Sequence, residues 1–508
     1  MAKVTTVIDI GSNSARMAIF QKTSRYGFHL IHELKSKVRI SEGSYEHDSY
    51  LQPQAMKRAL IALKNFKQVS QSFKSRKLIC IATSAIRDAP NNMEFIREVK
   101  KECSIDIKII NGTKEAFFGA IACANLIHKA SGITIDIGGG STELACINNR
   151  NIKDMVSLNL GSIRLKELFF DHNKIEEAYR YTKEYVRTGS KSIIDFCHKS
   201  GLNDELNVFG IGGSIRAYAK YKMSKLSYPL NFLHGYELNA KDIIQDINKI
   251  VHANTQELLD MGIENSRIDS IRPGLLILQV ILEELQAHKL IISGVGVREG
   301  VFLNDMLRNQ NGILPVGFNP SVRSLQDIFL INVNDSRSIY NHAKKLFILF
   351  QKHLSQRLDL KFEYLYYLKV ASELYNIGAN FNFYQAHKHS SYIALNCLNY
   401  GFSHQQRYTI ATLLETSHKK RPKQISQSYI NLLPSDYVLQ VLSFTLAIGV
   451  TLAKQKEAIF NIQTDIMDST LIIKLYIESC SLPTQQALLD IMPPRLESYD
   501  IKMEILIN

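Results

Sequence analysis

The stretch Asp136-Ile-Gly-Gly-Gly-Ser-Thr-Glu143 constrains this chain most, because its Asp-Ile-Gly-x-x-Ser pattern occurs twice. Gly132-Ile-Thr-Ile-Asp136 is short, apolar and β-branched, and it predicts a buried strand. Three glycines follow at once. Lacking Cβ atoms, they let the backbone turn tightly and bring its N–H groups close to an anion. Leu144-Ala-Cys-Ile147 resumes as a strand, so a glycine-rich hairpin with no ligand is the competing reading. The start of the chain separates the two. Ile8-Asp-Ile-Gly-Ser-Asn-Ser14 aligns with Ile135-Asp-Ile-Gly-Gly-Gly-Ser141, and Ala18 falls opposite Ala145. A coincidental turn has no reason to repeat its Asp, Gly and Ser. The pair implies a duplicated domain whose two loops face phosphate across a cleft.

Other segments fit the same plan. Lys77-Leu-Ile-Cys-Ile-Ala-Thr83 is a strand that runs into Ser84-Ala-Ile-Arg87. Crevices in open α/β sheets lie beyond the carboxyl ends of strands, so Arg87 is placed to clamp a phosphate with its planar fork. Ile105–Ile110 is the next strand, and Glu115 opens a helix that runs to about His128. A Glu in a first helical turn also suits the helix dipole without any further role. Gly210-Ile-Gly-Gly-Ser214 leads a strand into a helix, whose amino terminus can meet an anion. Thr182–Phe196 is expected to be one helix, and Arg272-Pro-Gly274 to start an apolar helix with Pro in its favoured early position.

The ordered set resembles the exopolyphosphatase / guanosine pentaphosphate phosphohydrolase family, a branch of the actin, hexokinase and Hsp70 superfamily. Asp9–Ser14, Thr83–Arg87, Asn111–Ala116, Asp136–Glu143, Gly210–Ser214 and Arg298-Glu-Gly300 carry the resemblance, over residues 1 to about 305. It implies an α/β, duplicated RNase H-like fold of two lobes with a cleft between them, followed by a mainly α-helical HD-like domain. The expected divisions are 1–125, 126–308, a linker at 309–320, and 321–508.

The resemblance makes Glu115 the residue that orients or deprotonates water, with Arg87 beside the reacting phosphate. Gly11, Ser12, Asn13, Gly138, Gly139, Gly140, Ser141, Gly212, Gly213 and Ser214 would cradle phosphates. Asp136, with Glu143 or Asp9, would hold Mg²⁺ or another hard divalent cation, which takes oxygen ligands. The implied activity is Mg²⁺-dependent release of terminal orthophosphate from inorganic polyphosphate or guanosine pentaphosphate, in stringent-response chemistry. The tetraphosphate is a further expected ligand. A homodimer is also implied. Two other classes fit the cleft: an ATP-dependent small-molecule kinase, and a non-catalytic sensor of polyphosphate or an alarmone nucleotide.

Beyond residue 320 the chain departs from the HD metal pattern. Asp335 and Tyr375-Asn376 stand where the metal-binding His and the His-Asp pair belong, although His387, His389 and His418 persist. This part is therefore read as structural. His418–Lys423 is its dense basic cluster, either a solvated loop or a wall of an anion channel.

Bulk properties agree with a cytoplasmic globular chain of several domains. It has 508 residues, 45% of them apolar, and a formal charge of +13. That charge favours polyanionic partners but selects no specific nucleic acid. The seven cysteines are scattered, with no C-x-x-C pair, so neither disulfide nor zinc site is expected. No signal peptide is read at the start. The most apolar run, Tyr437–Ala453, carries Gln440, Ser443, Thr445 and Thr451, and is read as a core helix rather than a membrane span.

Overall fold

The computed structural model describes every residue except 1–2, 45–46, 200–205, 355–357, 417–426, 454–458, 468–469, 479–480, 492, 496–500 and 508. It divides into two units, Met1–Phe318 and Asn319–Asn508. The basic cluster 418–423 and Cys480 lie outside the described residues. The six described cysteines are free thiols.

The first unit is built on two sheets of one design. In the first, β1 (Lys3–Ile10), β2 (Ala15–Lys22) and β3 (Phe28–Ser36) form an antiparallel meander, and β4 (Lys77–Ala82) and β5 (Ile107–Ile109) add in parallel beside β1. The order is β3-β2-β1-β4-β5. In the second, β6 (Gly132–Ile137), β7 (Thr142–Asn148) and β8 (Asn151–Leu158) repeat the meander. β9 (Asn207–Gly212) pairs parallel to β6, β11 (Lys289–Ile292) parallel to β9, and β10 (Glu237–Asn239) antiparallel at the edge. The order is β8-β7-β6-β9-β11-β10, the first sheet's order with one strand added. β6 is buried along nearly its whole length, as a strand covered on both faces should be.

Two helices tie the sheets together. Gly112–Leu126 leaves the first sheet but packs on β6, β7 and β8 of the second. Val297–Met306 leaves the second and packs on β1 and β2 of the first. They cross at Gly300, where a Cβ would lie 1.9 Å from the Phe118 carbonyl oxygen. Gly300 is therefore required by the crossing itself.

Several expectations are corrected. β3 and β8 carry polar residues along one side and do not read as strands in isolation. The segment expected as one helix, 182–196, is two, Ile175–Gly189 and Lys191–Lys199. The helix expected to begin at Arg272 begins at Ile268, with Pro273 inside it. An interior proline costs about 3 kcal/mol. Here an almost unbroken buried run from Ser270 to Leu282 outweighs that cost, at about 1.5–3 kcal/mol for each large apolar side chain. Other helices surround this one, which is why it is apolar all round.

The second unit is mainly helical. Asn319 caps the helix Pro320–Ile328 through its side chain, so Asn319 and Pro320 begin this unit. Helices Val333–Leu354, Tyr364–Leu374, Ala386–Cys397, His404–Thr416 and Asp436–Ala453 bury Phe347, Phe350, Leu368, Leu413 and Leu442 among themselves. Three strands, β12 (Ile459–Met467), β13 (Thr470–Glu478) and β14 (Ile501–Ile507), form a sheet of order β12-β13-β14. Asp436–Ala453 is long and apolar enough to cross a membrane, and 78% of it is buried inside the protein. Asp335 sits exposed in a first helical turn.

Candidate active site

The two echoed loops have the same construction. Gly11 donates its N–H to Ser14 carbonyl oxygen at 3.2 Å, and Gly138 donates to Ser141 at 2.9 Å. They approach closely, since a Cβ on Gly139 would stand 3.0 Å from Ser12 Cβ. The third loop follows β9. Gly212 there adopts φ +106°, a left-handed conformation that glycine takes without strain, and helix Gly213–Lys225 begins directly after it. The Arg267 guanidinium lies against Gly213, where a Cβ would meet it at 2.3 Å.

Between the loops is a cavity of about 160 Å³. Asp9, Glu115, Asp136 and Glu299 line it, and so do Arg16, Arg216, Arg267 and Arg298. The arginines are held in place. Arg216 donates to the carbonyls of Ser293 and Val295 at 2.8 and 3.2 Å. Arg298 is buried and bonds Glu33 at 2.6 Å. Burial lowers the pKa of Arg16 to about 10, with Arg298 and Arg216 adding to the effect. It stays cationic at neutral pH.

Glu115 stands in the first turn of helix Gly112–Leu126, whose cap Asn111 accepts from Lys114 N–H at 2.8 Å. Burial pushes its carboxyl well above the ordinary range, and Glu143, Asp9 and Asp136 push further. Arg87 opposes them. The Arg87 Nη1 to Glu115 Oε2 distance is 3.5 Å. Burial also raises Asp136 to about 6, against the pull of Arg216. Asp9 is raised by burial and partly relieved by Arg298 and Arg16. Its Oδ1 is buried with no hydrogen-bond partner.

The structure thus brings together at the cavity Gly11, Ser12, Asn13, Gly138, Gly139, Ser141, Gly212, Gly213 and Ser214, with Asp9, Glu115 and Asp136. Three expected residues stand outside the lining. Gly140 is buried and is not part of the lining. Glu143 is 2% exposed and accepts from Ser157 Oγ at 2.8 Å, behind Asp136 on the paired strand. Arg87 is engaged with Asp88 and the Ile110 carbonyl, each at 3.2 Å, and with Glu115. Its visible contact is with the carboxylate rather than with the cavity. Ser214 lines the cavity, but its hydroxyl donates to Ser270 carbonyl oxygen at 3.0 Å.

Sequence reasoning missed Arg16, Arg216 and Arg267. The first was within reach. In the hairpin closed by Gly11 and Ser14, Arg16 pairs with Asp9 and shares its face. Arg216 follows the third loop by two residues. Arg267 has no local signal, because it is brought in by the packing of a distant segment.

Could the site hold a divalent cation? Among the described residues, no three His, Cys, Asp or Glu side chains are grouped as a metal site made by the protein alone would need. The unpartnered Asp9 Oδ1 and the neighbouring Asp136 fit the other arrangement, in which one or two carboxylates hold Mg²⁺ and phosphate and water oxygens complete its shell.

Two hairpin-led sheets with glycine loops facing one another over a charged cleft define the actin-like class of phosphotransfer folds. Comparison with known families narrows this. The chain belongs to the Ppx/GppA phosphatase family: residues 18–309 match its family model, and 319–489 match Ppx/GppA phosphatase, domain III. A Fusobacterium nucleatum bifunctional 3-dehydroquinate synthase/phosphatase is 31% identical over 301 residues, 56% of this chain and 44% of that protein. The chain therefore spans less than half of that curated relative. The crystal structure of the Aquifex aeolicus Ppx/GppA family member is 25% identical, with TM-score 0.51, over 61% of this chain and 99% of that one. A Cytophaga hutchinsonii exopolyphosphatase shows the same fold at 23% identity and TM-score 0.54, with the same coverage.

Proposed function

We propose that the cleft hydrolyses a terminal phosphoanhydride, releasing orthophosphate from inorganic polyphosphate or from guanosine pentaphosphate. The observation that carries this reading is the placing of Glu115. It is a buried carboxylate, at the edge of two facing glycine loops, with an arginine beside it. Phosphoryl transfer needs positioning and neutralised charge more than covalent chemistry. Backbone N–H groups around Gly11–Asn13, Gly138–Gly139 and Gly212–Gly213 bind the phosphate oxygens. Arg16, Arg216, Arg267 and Arg298 neutralise them.

Glu115 accepts a proton from water as the water oxygen bonds to the terminal phosphorus. The bridging P–O bond breaks, and its electron pair leaves on the shortened chain. Arg87 keeps Glu115 oriented and favours its ionised form. Asp9 and Asp136 are the residues that would hold Mg²⁺, which when bound supplies positive charge to the phosphate oxygens. In this reading the protein works in the cytoplasm, as a homodimer.

Orthophosphate release from long-chain polyphosphate and from guanosine pentaphosphate tests the proposal, with Mg²⁺ and with chelator, for wild type and Glu115→Gln. Mg²⁺-dependent release abolished by the substitution is the expected result. Tight binding without release would instead favour a sensor, and phosphorylation of a small acceptor by ATP a kinase. Equal release by the variant would remove Glu115 from the chemistry.

A further inference from the structure

Ser157, near the end of β8, is not part of the cavity lining, yet it touches two parts of the site from behind. It stands directly across from Glu143 in the register of β7 and β8, and its Oγ donates to Glu143 Oε1 at 2.8 Å. Its side chain also faces Gly112, the first residue of the helix that carries Glu115. A Cβ on Gly112 would stand 2.2 Å from Ser157 Oγ and 2.3 Å from Ser157 Cβ. Real Cβ contacts essentially never fall below 3.0 Å, so the helix starts directly against the serine. That close approach accounts for the glycine, which a helix otherwise disfavours.

Glu143 and the first turn below Glu115 therefore take their places from one side chain. The link matters for the site, because Glu143 acts on Glu115 more strongly than any other charge around it. The Ser141 hydroxyl acts on the Glu143 carboxyl as well. The two hydroxyls differ in where they stand. Ser141 lines the cavity, within reach of a bound phosphate, and Ser157 does not. A Glu143 that lost Ser141 to an incoming phosphate oxygen would keep Ser157.

We propose that Ser157 is a positioning residue for the reaction: its hydroxyl fixes the Glu143 carboxyl behind Asp136, and its side chain seats the first turn of the helix that presents Glu115 to water. The inference rests on the phosphohydrolase reading above.

The test separates the hydroxyl from the packing. Ser157→Ala removes the hydroxyl and keeps the Cβ. Gly112→Ala creates the clash, and Gly112→Ala combined with Ser157→Gly moves the same bulk from one partner to the other without restoring the hydroxyl. Each is compared with wild type by phosphate release from long-chain polyphosphate and from guanosine pentaphosphate, by calorimetric binding of tripolyphosphate, and by urea unfolding. Partners that orient an active-site carboxylate from behind are worth about 10–100-fold in activity, so Ser157→Ala should lower kcat about tenfold or more and leave KM and tripolyphosphate binding within about twofold. Gly112→Ala should lose both stability and kcat. The double variant should recover the unfolding midpoint and keep the loss in kcat. Wild-type kcat in Ser157→Ala, a loss confined to KM, or a double variant that recovers kcat would overturn the inference, the last by showing that packing alone matters. A double variant that fails to recover its midpoint leaves Ser157→Ala to decide. Wild type that releases no phosphate from either substrate would instead refute the phosphohydrolase reading, and the positioning role would fall with it.

Discussion

Replacing Gly300 by Ala tests the framework on which the site depends. The added Cβ would sit 1.9 Å from the Phe118 carbonyl oxygen and 2.5 Å from its carbonyl carbon. Real Cβ contacts essentially never fall below 3.0 Å, so the two crossing helices must part by at least an ångström. The obstacle is backbone, which cannot rotate aside. Overpacking costs about 1–3 kcal/mol, and the upper end is expected here. The same displacement moves Glu115, on one helix, relative to Arg298, on the other. Misplacing a reacting group by about 1 Å can cost about 100-fold in rate.

Gly119→Ala, in the other helix of the crossing, provides the opposite control. Its Cβ would meet only the Ile211 Cδ1 methyl, at 3.5 Å. Ala for Gly in a helix interior gains roughly 0.8–1 kcal/mol. Urea unfolding and phosphate release should therefore show Gly300→Ala destabilised and about 100-fold slower, and Gly119→Ala unchanged or more stable. If both variants match wild type, the crossing is not the constraint described, and the reasoning from close approach fails.

Three further outcomes follow from the charges. Glu115 is neutral at low pH and ionises only as pH rises, because burial and its carboxylate neighbours raise its pKa while Arg87 lowers it. The acid limb of kcat/KM should lie above the ordinary carboxylate range of about 4, and Arg87→Gln should move it higher; a limb near 4, or a downward shift, would contradict this. Arg16→Gln should lower kcat/KM by about 100-fold or more with little change in unfolding midpoint, since it removes a preorganised cation beside Asp9; wild-type kinetics would show that Arg16 does not meet the phosphate. Burial would raise Glu237, but His128 at 2.9 Å and Lys289 at 3.2 Å outweigh it and bring it down to about 2. A depressed carboxylate stabilises the fold above its unfolded pKa of about 4.3 and loses that effect as pH falls towards about 2. Glu237→Gln should flatten the stability–pH curve between those values, measured by denaturant unfolding, and an unaltered slope would refute the pairing.

The sequence was most informative where chemistry is local. The loops at Gly11–Ser14 and Gly138–Ser141 are read directly, because a turn against phosphate restricts its residues one by one. The presence of two matching hairpins followed from the same repeat. The β3 and β8 strands were not legible, because edge strands with a polar side lack the apolar run that announces β6. Pro273 misled in the other direction. A rule about isolated helices placed it at a start, whereas burial on all sides carries the helix through it. Arg267 was illegible for a third reason, since its place against Gly213 depends on how a segment 54 residues downstream packs back over the third loop.

The duplication also explains why the cleft has direction. At the same offset that relates Asp9 to Asp136, Arg16 corresponds to Glu143. In each hairpin these residues pair across the strands, Asp9 with Arg16 and Asp136 with Glu143, and share a face. The two halves thus keep one carboxylate in common and differ in the sign of its partner. On the first side, the pair is nearly neutral and leaves a guanidinium in the cavity for a phosphate oxygen. On the second, burial raises both carboxylates, Asp136 raises Glu143 further, and Glu115 is raised by both. A cavity lined by two equal loops would bind a phosphate chain in either sense. One lined by Arg16 from the first hairpin and by Asp136 from the second, with Glu115 nearby, is not symmetric, and in the proposed reading that difference in charge sets the sense in which a phosphate chain lies.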